Sequence, residues 1–145
     1  MSEEVKLIFP AISAPIKEAE GGKYIWDALR RKWLLLTPEE WVRQHVIAWL
    51  VANKGVPALR ITQEYPVNIN RQHQRADVVV MNEKAKPQIL VECKAPEVDI
   101  DSEVVMQTIR YNSIVQAQYI VLTNGRKLFI FEHRNGQYLP TKEIL

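Results

Sequence analysis

The chain has 145 residues, 47% of them hydrophobic, enough for one domain with a self-sustaining core. Cys93 is the single cysteine, which excludes an intramolecular disulfide and a Cys-rich zinc site. The formal charge of +2 is too small for a protein that coats nucleic acid by charge alone. No apolar run reaches the length of a membrane span, and the acidic start Met1-Ser2-Glu3-Glu4 is unlike a secretory signal, so a cytoplasmic protein is expected.

Residues 1–36 carry Pro10, Pro15, Gly21 and Gly22 with no sustained period before Tyr24. They predict an irregular N-terminal arm that ends in a short element and packs on the domain formed by residues 37–145. Trp26 and Trp33 are expected to pack on that domain or on a partner. Thr37-Pro38-Glu39-Glu40 then starts a helix: Thr37 can cap, proline suits the first helical position, and Glu40 stands where a capping box needs it. The helix is predicted to run to about Asn53, burying Val42, Val46, Trp49 and Leu50, before Gly55 and Pro57 end it.

Strand signals follow over 61–69 with Pro66 interrupting, over 75–81 and over 88–94. A second helix is expected from Asp101 or Ser102 to about Gln116. Strands are expected over 119–122 and 128–131 around the turn Asn124-Gly125, with a short edge strand at Tyr138 and Leu139 after Asn135-Gly136. The order α-β-β-β-α-β-β predicts a mixed α/β fold, a central mixed sheet flanked by helices.

Chemistry concentrates in Gln88-Ile-Leu-Val-Glu-Cys-Lys94. Alternation puts Leu90, Glu92 and Lys94 on one face and Ile89, Val91 and Cys93 on the other. A hairpin with a four-residue loop over 83–86 pairs Met81 with Gln88, Val79 with Leu90 and Asp77 with Glu92. Two opposed carboxylates repel, and a cation between them relieves that repulsion. Asp77, Glu92 and the backbone carbonyl of Cys93, with water, form the oxygen-rich set that Mg2+ or Mn2+ prefers. Lys94 would then orient a water or stabilise charge on a phosphate, while the Cys93 thiol is expected to be a buried apolar group. Basic clusters at Arg30-Arg31-Lys32, at Arg71, His73 and Arg75, and at Arg126-Lys127 offer contacts to nucleic acid, though each reads more simply as solvated surface.

As an ordered set, Thr37-Pro-Glu-Glu-Trp-Val-Arg-Gln44, Glu64-Tyr-Pro-Val67, Arg75-Ala-Asp-Val-Val79, Leu90-Val-Glu-Cys-Lys-Ala-Pro96, Gln107-x-x-x-Tyr111-Asn112 and Leu122-Thr-Asn-Gly125 resemble a known superfamily. It is the restriction-endonuclease-like PD-(D/E)xK superfamily, and within it the chain is similar to the N-terminal nuclease domain of type I restriction enzyme R subunits. The resemblance covers about Leu36 to Phe131. It implies a Mg2+-dependent endonuclease-like hydrolase in restriction, defence or repair, acting on DNA more than RNA, with a homodimer or other protein subunits as candidate partners. It also implies that Asp77 and Glu92 hold metal, with Ala76 standing where the superfamily name has proline. Lys94 would be catalytic, and Gln107 and Tyr111 would lie beside the centre. A glutamate of the first helix would join them, Glu40 rather than Glu39, although capping competes for the same side chain. The R subunits carry an ATP-driven motor, but this sequence has no Gly-x-x-x-x-Gly-Lys-Ser/Thr loop, so no use of ATP is expected.

Two other readings fit the same residues. One is a non-cleaving module that keeps the nuclease fold to bind nucleic acid or protein, in which Tyr24 to Trp33 matters more than the triad. The other is a partly buried ion network in a domain of unrelated function.

Overall fold

The computed structural model describes residues 5–69 and 72–144, with the backbone alone at 68, 69, 72 and 73. The side chains of Arg71 and His73, expected in a basic cluster, therefore lie outside the described residues.

The N-terminal arm is not irregular. It contains an antiparallel three-stranded sheet, β1 (Ile16–Ala19), β2 (Gly22–Asp27) and β3 (Lys32–Leu35), in the order β1-β2-β3. Gly21 and Gly22, both at positive φ, make the first turn, a backbone state that favours glycine. Trp26 pairs across β2 and β3 with Trp33, their rings meeting near edge-on at 5.3 Å, and Lys17 lies over the Trp33 ring.

Helix α1 (Pro38–Ala52) starts as its residues demand, with the Thr37 hydroxyl oxygen accepting the Glu40 N–H at 3.0 Å. Its buried stripe of Val42, Val46, Ile47 and Leu50 packs on one face of a six-stranded sheet. That sheet runs β4 (Ile61–Ile69), β5 (Gln72–Met81), β6 (Pro87–Cys93), β7 (Tyr119–Thr123), β8 (Leu128–Arg134) and β9 (Gln137–Thr141), in sequence order. All pairings are antiparallel except β6 with β7, where α2 (Ser102–Asn112) supplies the crossover. The fold is thus the mixed α/β architecture expected, with the N-terminal sheet added. Helix α2 ends at Asn112 rather than near Gln116, because one 3-10 turn (Ser113–Val115) follows and Gln116 takes a left-handed conformation. Among the described residues no helix is long and apolar enough to cross a membrane.

The register of β5 against β6 explains the placement of the carboxylates. Val79 pairs with Leu90 as expected, and Val78 pairs with Val91. Toward the turn the register shifts between Val80 and Met81, so Met81 faces Pro87 and not Gln88. The cause is the turn: the Asn82 side-chain oxygen accepts the N–H groups of Lys84 and Lys86, and Ala85 sits at φ 60. The slip lies beyond Val79, and the paired ladder ends at Val78 and Val91, with Asp77 and Glu92 each one residue past it.

Strands β4 and β5 bend together at that point. Ile61 packs with the core under α1, whereas Tyr65 and Val67 pack with the opposite core around Leu90 and Ile120. On β5, Val78 and Val80 belong to the first core and Ala76 to the second. Residues two apart in a regular strand share a face, so both strands turn over between these positions. The turning residues are Glu64, at φ 55, and Asp77, which the register sets opposite each other. The far end of the hairpin then forms one wall of a cleft, and its other wall is α2.

Candidate active site

Asp77 stands where β5 and β6 part. Its Oδ2 accepts the Cys93 N–H at 2.6 Å, so a side chain replaces the ladder bond that the diverging backbones cannot make. Its Oδ1 lies 3.8 Å from Arg43 Nη1 of α1. Glu92 projects from the other face of β6 than Cys93, and its Oε2 lies 3.6 Å from Lys94 Nζ. Lys94 directly follows β6 and is held by its N–H, which donates to the Thr123 carbonyl at 2.8 Å.

Glu92 and Lys94 line a cleft of about 270 Å³ together with Gln74, Arg75, Gln107, Thr108 and Tyr111. Gln107 and Tyr111, one turn apart on α2, thus line the same cleft as Glu92 and Lys94. Cys93 is buried in the apolar core, and its thiol is pushed up by burial and by Asp77 and Glu92, which makes it inert.

Both carboxyls have a raised proton affinity, and the Asp77 charge adds to that of Glu92. Burial pushes Asp77 up to about 6; the Cys93 N–H, Arg43 and Lys94 offset only part of this, and Glu39 adds to it. Burial and then the Asp77 charge push Glu92 up to about 7, with Lys94 opposing and Glu39 again adding. A cation bound between them could relieve this. Two carboxylates could hold Mg2+ or Mn2+, which prefer oxygen ligands and keep much of their water, with the carbonyl of Cys93, next after Glu92 in the chain, as a further candidate. Among the described residues no three His, Cys, Asp or Glu side chains gather as an all-protein metal cage would require.

Glu40 is not brought to this centre. Its carboxylate is 4% exposed and engaged: Oε1 holds the Arg43 guanidinium and Oε2 accepts Gln44 Nε2 at 2.8 Å. The capping duty falls to Thr37 alone. Glu39 is the α1 carboxylate whose field reaches Asp77 and Glu92. Adjacent helical positions point about 100° apart, so the two glutamates face different surroundings. We expect Glu40→Ala to destabilise the fold by about 3 kcal/mol, because it leaves Arg43 a buried, half-paired cation, while exposed Glu39→Ala stays within about 0.5 kcal/mol. Urea unfolding of both variants measures this.

Arg43 and Arg75 are the functional candidates that sequence reasoning missed. Arg43 had a signal, its i, i+3 spacing from Glu40; Arg75 was seen only as part of a surface cluster. Of the other basic clusters, Arg30 is tied down in ion pairs with Asp27 and Glu64, and Arg126 and Lys127 lie exposed in the β7–β8 turn.

Sheet order, hairpin bend and carboxylate pair together define a mixed α/β domain with a candidate acidic centre. The sequence then specifies it further: residues 38–144 match the family described as the type I restriction enzyme R protein N terminus, and the chain belongs to that family. No curated protein matches the sequence. Among solved structures, the type IIG restriction endonuclease BpuSI is similar at a TM-score of 0.46 and 20% identity, over 66% of this chain and 11% of that one.

Proposed function

We propose that the domain is a metal-dependent nuclease that hydrolyses phosphodiester bonds, with DNA as substrate. One arrangement carries this reading: Glu92 and Lys94, 3.6 Å apart, line a cleft, and the adjoining Cys93 N–H fixes the Asp77 carboxylate beside them. Membership of a restriction-enzyme family supports the choice of reaction and of DNA.

Asp77, Glu92 and the Cys93 carbonyl would hold Mg2+ or Mn2+, with Glu39 acting through solvent. When bound, the ion supplies Lewis-acid polarisation of a phosphate and a more acidic water. The chain's own groups do the rest. Lys94, a third exposed, places a positive charge where negative charge grows on the phosphate. Arg75, Gln107 and Tyr111 line the approach and can donate hydrogen bonds to the nucleic-acid backbone. Burial of the carboxyls keeps them ready to release protons as the cation arrives.

A second reading, binding without cleavage, is favoured by the absence of a third carboxylate in the centre among the described residues. Incubation of the protein with single-stranded, double-stranded and branched DNA and with RNA in Mn2+ separates the two. Cleavage lost with a chelator and in Lys94→Ala supports the nuclease. Retained DNA affinity with no cut in any substrate supports the alternative.

A further inference from the structure

Asp27 closes β2 in the N-terminal sheet, outside the family-matched region 38–144, yet it is 1% exposed. Its Oδ1 accepts the N–H groups of Leu29 and Arg30, and its Oδ2 accepts Arg30 Nε at 2.9 Å and Gln44 Nε2 at 3.2 Å. Two routes lead from this pair to Asp77. The first runs through α1 side chains: Gln44 Nε2 also donates to Glu40, Glu40 holds Arg43, and Arg43 Nη1 lies 3.8 Å from Asp77 Oδ1. The second runs through backbone: Arg30 Nη1 donates to Glu64 Oε2 at 2.6 Å, and Glu64 is the left-handed residue across the ladder from Asp77.

A glutamate at φ 55 in mid-strand persists only where its surroundings over-determine it, and such residues gather at working sites. Residues directly opposite on two strands share a face, so a regular β4 would set Glu64 in one row with Asp77 and Glu92 as a third like charge. Held by Arg30, and by Arg75 at 3.6 Å, the Glu64 carboxylate is drawn aside. Stability alone does not explain the junction. Buried ion networks contribute little to it, and here Arg30 Nη2 remains buried without a protein hydrogen-bond partner.

We infer that the Asp27–Arg30 pair is a positioning unit that fixes the Asp77 carboxylate from two sides, making the N-terminal sheet a working part of the centre. The inference rests on the reading of Asp77 as a group that does the chemistry.

The Cys93 N–H, bonded to Asp77 Oδ2 at 2.6 Å, reports the position of that carboxylate with neither metal nor substrate. In the full chain labelled with nitrogen-15, Asp77→Ala defines the Cys93 amide resonance with its acceptor removed. Arg30→Met is expected to move the resonance toward that position while Val121 in β7 stays in place, and Arg30→Lys to restore it in part. On DNA in Mn2+, Arg30→Met is expected to lower kcat about ten-fold with KM within about two-fold, as misplacement of a reacting group does. Glu64→Gln, a milder change, gives a displacement in the same direction and serves if Arg30→Met does not fold. A Cys93 resonance unmoved in every variant that folds overturns the inference, as does a shift shared by Cys93 and Val121 in step with a lower Tm. If the unaltered protein cuts nothing and Cys93 still moves, the positioning stands and the nuclease reading falls. If the unaltered protein cuts and the variants cut equally well, the positioning falls alone.

Discussion

Lys94→Ala is expected to lower the rate of DNA cleavage by about 10² to 10³-fold, the loss seen when one preorganised charge is taken from a developing oxyanion. Its stability should change little. Lys94 is a third exposed, it directly follows β6 without entering the core, and its 3.6 Å pair with Glu92 is long and partly solvated. The same substitution removes a charge that favours ionisation of Asp77 and Glu92, so the variant should also bind the divalent ion differently. Asp77→Asn is the sharper test of the carboxylate. The amide oxygen can still accept the Cys93 N–H, so no buried donor is orphaned, while the charge is gone. It should abolish cleavage in a protein that melts near the unaltered one. Initial rates in Mn2+ with melting curves on the same preparations decide the matter; a Lys94→Ala protein that cuts within a few-fold of its parent sinks the proposal. Lys94→Arg is not a conservative control, because a planar fork replaces a compact ammonium.

The residues that were legible in the sequence are those governed by a period. Alternation placed Glu92 and Lys94 on the face opposite Ile89, Val91 and Cys93, and these three line the core under α1. Symmetric pairing about a short turn was enough to set Val79 against Leu90, even though a bulge at Met81 made the turn itself different. What escaped has no period. The left-handed glutamate in β4 looks like any other strand residue in the one-dimensional string, and so the bend at Glu64 and Asp77 that opens the cleft was invisible. Glu39 and Glu40 are equal as residue types; only the partners of Glu40, Arg43 and Gln44, decide which one turns inward. The N-terminal sheet did leave a trace, the pair Gly21-Gly22 ahead of Tyr24-Ile25-Trp26, but the prolines before it suggested an irregular chain.

The second large effect is on the dependence of stability on pH and metal. Asp77 and Glu92 sit near 6 and 7 in the fold, above their ordinary 3.8 and 4.5. Between about pH 4 and pH 7 the native state therefore holds more protons at these groups than the unfolded chain does, and stability falls as pH rises through that window. Their contribution should be about 2–4 kcal/mol less favourable at pH 7.5 than at pH 5, reduced toward the lower figure because neutralising one carboxyl relieves the other. His45 works in the opposite sense. Burial lowers its pKa, so it loses stability as pH falls below 6.5, and the unaltered protein shows only the net slope. Asp27 and Glu64, held low by Arg30, weaken the fold only on further acidification through the ordinary carboxylate range. Glu92→Gln isolates the site. Without divalent ion at pH 7.5 it should melt higher than its parent by about 3–6 °C, from about 1–2 kcal/mol of relieved repulsion, and the gain should vanish near pH 5. Mg2+ or Mn2+ should raise the Tm of the parent at pH 7.5, do so weakly at pH 5 where protons compete, and leave Glu92→Gln unmoved. Differential scanning calorimetry across that grid reads all three. A Glu92→Gln protein that melts lower than its parent at pH 7.5, or that responds to the ion equally, would mean that the paired carboxylates are an ordinary structural ion network. The expected pattern, a variant more stable and inactive, is the mark of charges kept together for a cation.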